Sequence, residues 1–246
     1  MKIYTYYENI GKEKQDKLIE LWKISWSRQD FEPVVLDRSN AKKCKFYDEY
    51  YDFVVDIHQK ACNLDIKDLS YEMSTQLEIP AFATIDGPAF FSDYDVINIK
   101  YKPFIPNKKV HWRDDYCTCF STGGKSGWEN YIIFLFNHKD EIINYCRKIY
   151  QETKRPRFND QDFLMALYSI DSIKNILDFS KDRRKTCSAY DPILNKHLPF
   201  EDINDAQIIH LSNNNCIRML KKYDELKINS VNSLRLLMAK QLLGLT

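Results

Sequence analysis

Lys2-Ile3-Tyr4-Thr5-Tyr6-Tyr7 and Phe31-Glu32-Pro33-Val34-Val35-Leu36 are two runs rich in β-branched and aromatic residues, the composition of strands. Between them Leu18, Ile19, Trp22 and Trp26 recur at helical spacing, which predicts a helix from about Glu13 to Ser27. Glu8-Asn9-Ile10-Gly11 turns the chain from strand to helix. Strand, helix and strand within ~35 residues form a βαβ unit, with parallel strands and a right-handed crossover. The fold class expected is therefore α/β, a mixed, mainly parallel sheet flanked by helices. Trp22 and Trp26 are four apart on one helix face, and packing against the sheet is their expected role.

The pattern continues in both types of period. Tyr47 to Cys62 reads as a helix. Ser70 to Ile85 reads as another, with Met73, Leu77, Phe82 and Ile85 inward and a kink or break at Pro80. Asp86-Gly87-Pro88 is a turn. Val110–Ser121 alternates loosely, as strands do, with Tyr116, Cys117 and Phe120 as candidate buried residues. Trp128–Phe136 is an apolar run, and a helix is expected from Lys139 to Glu152. Gln207–Leu211 is a short apolar strand, and Cys216–Tyr223 and Val231–Leu243 close the chain as helices. The last is amphipathic through Leu234, Leu237, Met238 and Leu242, suited to covering an open face of the core or to a homodimer contact.

Bulk properties narrow the function classes. The 246 residues carry a net charge of +1, so no general electrostatic pull toward nucleic acid or anionic membrane exists. Seven scattered cysteines suit a reducing compartment better than a disulfide framework. No stretch approaches the ~18 apolar residues of a membrane span, and the start Met1-Lys2-Ile3-Tyr4 has no signal-peptide run. A cytoplasmic protein is expected. Only six glycines occur, without a G-x-G-x-x-G fingerprint. Gly124-Lys125-Ser126 has the end of a phosphate loop, but the required earlier glycine is Cys119. Gly123 and Gly124 are then read as part of a flexible Gly-rich segment, suited to close backbone approach to a ligand or serving as a plain loop.

The residues with chemical potential are few. Phe90-Phe91-Ser92-Asp93-Tyr94-Asp95-Val96-Ile97-Asn98 places two carboxylates two apart, on one face if the strand runs on through them. Converging carboxylates suit a divalent cation. Asp160 and Asp162 stand at a helix start, where acids also complement the helix dipole. His210 ends the late strand.

Taken in order, Ile3–Tyr7, the Asp93-x-Asp95 segment, Asn159-Asp160-Gln161-Asp162-Phe163 and Ile209-His210-Leu211-Ser212 resemble nucleotide-sugar glycosyltransferases of the GT-A type. Leu21–Trp26 and Phe31–Leu36 also look like small glycosyltransferase-like proteins of bacterial viruses. The resemblance spans about residues 1–215. It implies a GT-A-like catalytic region over 1–215 (a nucleotide-binding half, 1–98, and an acceptor half, 99–215) with a helical extension over 216–246. It implies a Mn²⁺ (or Mg²⁺) ion held by Asp95, Asp93 and His210, with Asp93 also toward ribose. Tyr6 and Tyr7 would meet the nucleotide base. Asp162 or Asp160 would be the general base of an inverting transfer, or would stabilise an oxocarbenium-like sugar in a retaining one. Gly123 and Gly124 would line the acceptor side. The donor implied is a nucleoside-diphosphate sugar. The acceptor is a glycan or other hydroxyl, a modified nucleic-acid base among them, in host cytoplasm for a viral enzyme. The chain departs from the family in having no basic residue in Glu78–Thr84, which leaves Lys100, Lys102 or Arg113 to face the diphosphate. Two other readings use the same residues: a non-catalytic nucleotide-sugar or glycan-binding relative, and a metal-dependent phosphoesterase or nuclease, which would need further ligands for a second metal.

Overall fold

The computed structural model describes residues 1–10, 16–67, 70–103, 110–113, 118–180, 186–187, 207–211 and 231–245. Strand β1 (Lys2–Tyr6) pairs in parallel with β2 (Glu32–Leu36) on one side, Lys2 opposite Glu32 and Tyr6 opposite Leu36. On its other side it pairs in parallel with β3 (Ala89–Ser92), Tyr4 opposite Phe91. Helix α1 (Asp16–Ser27) makes the first crossover. The sheet continues through β6 (Thr118–Ser121) and β5 (Val110–Arg113), both antiparallel to their predecessors, to β7 (Asp178–Ser180), parallel to β5. The order is β2-β1-β3-β6-β5-β7, a mixed sheet with three of its five pairings parallel. A small second sheet joins β4 (Val96–Asn98), β9 (Ile208–His210) and β8 (Thr186–Cys187).

Both faces of the central strands are buried, as parallel strands require. Alternation sends Ile3 and Phe90 to one side, where they pack with Trp22, Trp26 and Phe31. Tyr4, Tyr6 and Phe91 go to the other, into the main core. That core is closed by α3 (Tyr47–Cys62), α6 (Gly124–Asn137), α7 (Lys139–Thr153) and α8 (Asp160–Leu167). Helix α3 buries Tyr50, Phe53, Val54, Ile57, His58 and Ala61, a stripe at helical period. It ends at Asn63, left-handed at φ 56°, whose amide bonds Gln59 O.

The Ser70–Ile85 segment is two helices, α4 (Tyr71–Gln76) and α5 (Glu78–Phe82). The break falls at Leu77 rather than at Pro80. Pro80 has no amide to donate to Gln76, and it sits in the first turn of α5, where that donor is not needed. Short α2 (Arg38–Ala41) is capped by Asp37, whose side chain accepts from the amides of Ser39 and Asn40. Tyr116, Cys117 and Cys216–Tyr223 lie outside the described residues. Helix α9 (Val231–Leu242) lays Met238 and Ala239, with Leu243 just beyond its end, against Leu18, Leu21, Ile97, Ile209 and Leu211. Among the described residues, no helix is long and apolar enough to cross a membrane.

The face of α1 does more than fill space. Trp22 Nε1 donates to Ser92 Oγ at 3.0 Å and Trp26 Nε1 to Val96 O at 3.1 Å. Ser25 Oγ accepts from the Asn98 amide at 3.2 Å, and Gln29 Nε2 donates to Ile99 O at 2.8 Å. Four side chains thus pin the segment from Ser92 to Ile99. Trp26→Ala is expected to cost ~3–5 kcal/mol in urea unfolding. Trp26→Phe is expected to cost ~1–2 kcal/mol, chiefly through the donor lost at Val96 O.

Candidate functional site

The chain leaves β1 for β2 on one side and returns to β3 on the other. The strand order therefore reverses at β1, and the region beyond the carboxyl ends of β1 and β3 is the usual ligand position in such sheets. Tyr7 and Tyr94 meet edge to face there, with ring centroids 5.3 Å apart. Tyr7 OH also bonds Asp16 at 3.2 Å, whereas Tyr6 is buried and donates to Glu8 at 3.3 Å.

Asp93 and Asp95 are not on a continuing strand. They flank Tyr94 in the turn between β3 and β4, closed by the Val96 amide on Asp93 O at 3.2 Å. β4 pairs antiparallel with β9, Val96 opposite His210, and the Leu211 amide bonds Asp95 O at 2.9 Å. That register delivers the histidine. Ligand atoms of Asp93, Asp95 and His210 all lie within 4.8 Å of one another.

Asp95 is 7% exposed. His210 Nε2 stands 3.4 Å from its Oδ1, and Arg235 Nη2 stands 3.3 Å from its Oδ2. Burial alone would raise this carboxyl, but the charges of His210 and Arg235 and the His210 hydrogen bond outweigh it and hold it below its ordinary value. Asp95 is therefore an anion at neutral pH, as a metal ligand must be.

The helix-start acids separate into two roles. Asp162 closes a capping box: its Oδ2 accepts from the Asn159 amide at 3.0 Å, while Asn159 Oδ1 accepts from the Asp162 amide at 3.1 Å. Its Oδ1 accepts from Arg155 at 2.5 Å. Both oxygens are occupied in holding the helix start. Asp160 instead meets Glu78 on α5. Desolvation raises both carboxyls, Asp160 to about 7 and Glu78 well above the carboxylate range, with Asp160 and Asp93 adding to the rise at Glu78. The hydrogen bond between the two favours the protonated form of Glu78 and the charged form of Asp160. Tyr71, 48% exposed, lies within electrostatic reach of Asp160, Asp95, Asp93 and Arg235.

Gly123 and Gly124 are the start of α6 and not a loop. Gly124 has φ +49°, and a Cβ there would stand 2.5 Å from Gly87 N. The close approach that its missing side chain permits is to the Gly87 turn of its own chain. Of the three basic residues weighed for the diphosphate, Lys102 pairs with Asp30 at 2.7 Å and Lys100 is exposed, while the side chain of Arg113 is not described. Among the described residues, Arg235 sets a guanidinium beside Asp95.

Glu78, Tyr71 and Arg235 are absent from the sequence reading. Two had a local signal: Glu78 is the lone charge in Leu77–Phe82, and Arg235 is the lone charge in Leu234–Ala239.

A carboxyl raised in the folded state stabilises below its unfolded value and stops doing so as pH rises through its folded one. For Asp160 that window runs from 3.8 to about 7. Asp160→Asn is expected to flatten the loss of stability across it, measured by urea unfolding. An unchanged slope contradicts the raised Asp160 carboxyl.

No protein-family model and no curated protein matches the chain. Among solved structures it is similar to the glycosyltransferase GlyE of Streptococcus pneumoniae TIGR4, at 11% identity and TM-score 0.45 over 96% of this chain and 62% of that one. It is similar also to a glycosyltransferase involved in glycosylation of the major capsid of PBCV-1, at 13% identity and TM-score 0.43 over 97% of this chain and 98% of that one. A third is the galactosyltransferase LgtC in complex with donor and acceptor sugar analogs, at 12% identity and TM-score 0.43 over 85% and 86%. The chain spans less than two thirds of the length of GlyE. These identities and scores are low, and the reading of the site rests on its own geometry.

Proposed function

We propose that the protein is a GT-A type glycosyltransferase that moves a sugar from a nucleoside-diphosphate sugar to a hydroxyl acceptor with the help of a divalent cation. The observation that carries this reading is the convergence of Asp93, Asp95 and His210 within 4.8 Å, beyond the carboxyl end of β3. Two carboxylates and an imidazole are an oxygen and nitrogen donor set, better matched to Mn²⁺ than to Mg²⁺. Their ligand atoms lie within 4.8 Å of one another, near enough for one ion to be shared among them. Asp95, Asp93 and His210 would hold it. When bound there, the cation supplies Lewis-acid charge against the leaving nucleoside diphosphate.

The other residues act directly. Tyr7 and Tyr94 line the region that receives the base and ribose, with Asp93 toward ribose. Arg235 presents a guanidinium to the diphosphate, the group best shaped to bond phosphate oxygens in pairs. Asp160 is the carboxylate facing the reacting sugar, in preference to Asp162, whose oxygens are engaged by Asn159 and Arg155. In an inverting transfer Asp160 takes the acceptor hydroxyl's proton. In a retaining one it stabilises positive charge on the sugar. Glu78 holds its proton toward Asp160 and orients it in either case.

The test is release of nucleoside diphosphate from a panel of nucleotide sugars with Mn²⁺ and hydroxyl acceptors. Asp95→Ala is expected to lower turnover by ~10²–10³, and Asp160→Asn to lower turnover with little effect on donor binding. Release from no donor, with thermal stabilisation by nucleoside diphosphate and Mn²⁺ that Asp95→Ala abolishes, would instead favour a non-catalytic nucleotide-sugar binder. Neither release nor stabilisation contradicts both readings.

A further inference from the structure

Arg235 comes from the C-terminal helix, far in sequence from every other residue of the site. Its guanidinium is anchored in this corner: Nε donates to Leu211 O at 3.0 Å and Nη2 stands 3.3 Å from Asp95 Oδ2. The side chain is 16% exposed and Asp95's 10%. Leu211 directly follows His210, and its own amide bonds Asp95 O. Arg235 is therefore built into the same corner as the candidate ligands and is not a surface side chain that happens to point inward. Its helix is seated by Met238 and Ala239 against α1 and β9.

Asp95 has two oxygens. His210 stands on Oδ1 and Arg235 on Oδ2. A divalent ion accepted by this carboxylate would share it with a guanidinium in a poorly solvated corner, where like charges repel strongly. We propose that Arg235 occupies the cation's place beside Asp95 and competes with the divalent ion for it, so that metal binds weakly until a diphosphate gives the guanidinium another anion to bond. The inference rests on the glycosyltransferase reading above for the diphosphate, but its first consequence concerns metal alone. It also makes metal and nucleoside diphosphate cooperative, each raising the affinity of the other by one factor.

Mn²⁺ binding to the full chain, without nucleotide, can be followed by loss of the free-ion electron paramagnetic resonance signal. Arg235→Gln removes the charge and keeps hydrogen-bonding capacity, and is expected to bind Mn²⁺ about tenfold more tightly than the wild type. Arg235→Lys keeps the charge and is expected to stay near the wild type. Equal or weaker binding by Arg235→Gln overturns the inference while leaving the metal site intact. If neither protein binds Mn²⁺, or if Asp95→Asn binds it as well as the wild type, the metal-site reading fails and the inference with it. A measurement on the wild type alone guards against a variant that does not fold. Saturating Mn²⁺ is expected to speed amide exchange along α9 as Arg235 leaves Asp95, and unchanged or slower exchange overturns the inference.

Discussion

The site depends on the grip of α1 on the turn that carries Asp93 and Asp95. Trp22 bonds the residue before the turn, and Trp26 and Ser25 bond the strand after it. A two-carboxylate turn left to itself would splay, because like charges repel and tight turns have alternatives. Here the flanks are fixed to a helix whose own seat is the buried face of β1 and β3. The two indoles supply apolar area and a directed donor at once. The packing that stabilises the first βαβ unit is therefore also what positions the candidate ligands.

Charge is balanced locally. His210 and Arg235 stand beside Asp95, and Asp160 and Asp93 act electrostatically on Glu78. Leaving four carboxylates ionised in a poorly solvated corner is costly. Burial favours the protonated form of Glu78, and Arg235 sets a positive charge beside Asp95.

Much of the fold was legible because period reports burial. β1, α1 and β2 follow from runs and spacing, and α3 runs from Tyr47 to Cys62 as its stripe requires. The apolar run Trp128–Phe136 gave no element because residues 131–136 are nearly all apolar, which hides a 3.6-residue period, yet it is the body of α6. The glycines before it looked like a ligand loop because glycine reports a close approach without saying to what. Here it is the Gly87 backbone. The helix start at Asn159 was readable, but which acid caps was not, since a capping acid at Asp162 and an acid at Asp160 that meets Glu78 look alike in one dimension. Arg235 was marked as a lone charge, but its destination was not, since tertiary contacts through β9 and α9 bring it to Asp95.

Anomalous diffraction from a crystal soaked with Mn²⁺ and a nucleoside diphosphate tests the central claim most directly. The account predicts one manganese peak among Asp93, Asp95 and His210, with the Arg235 guanidinium turned from Asp95 to a phosphate oxygen. A soak that leaves this corner without a peak and Arg235 still on Asp95, or that places the ion on other residues, contradicts it.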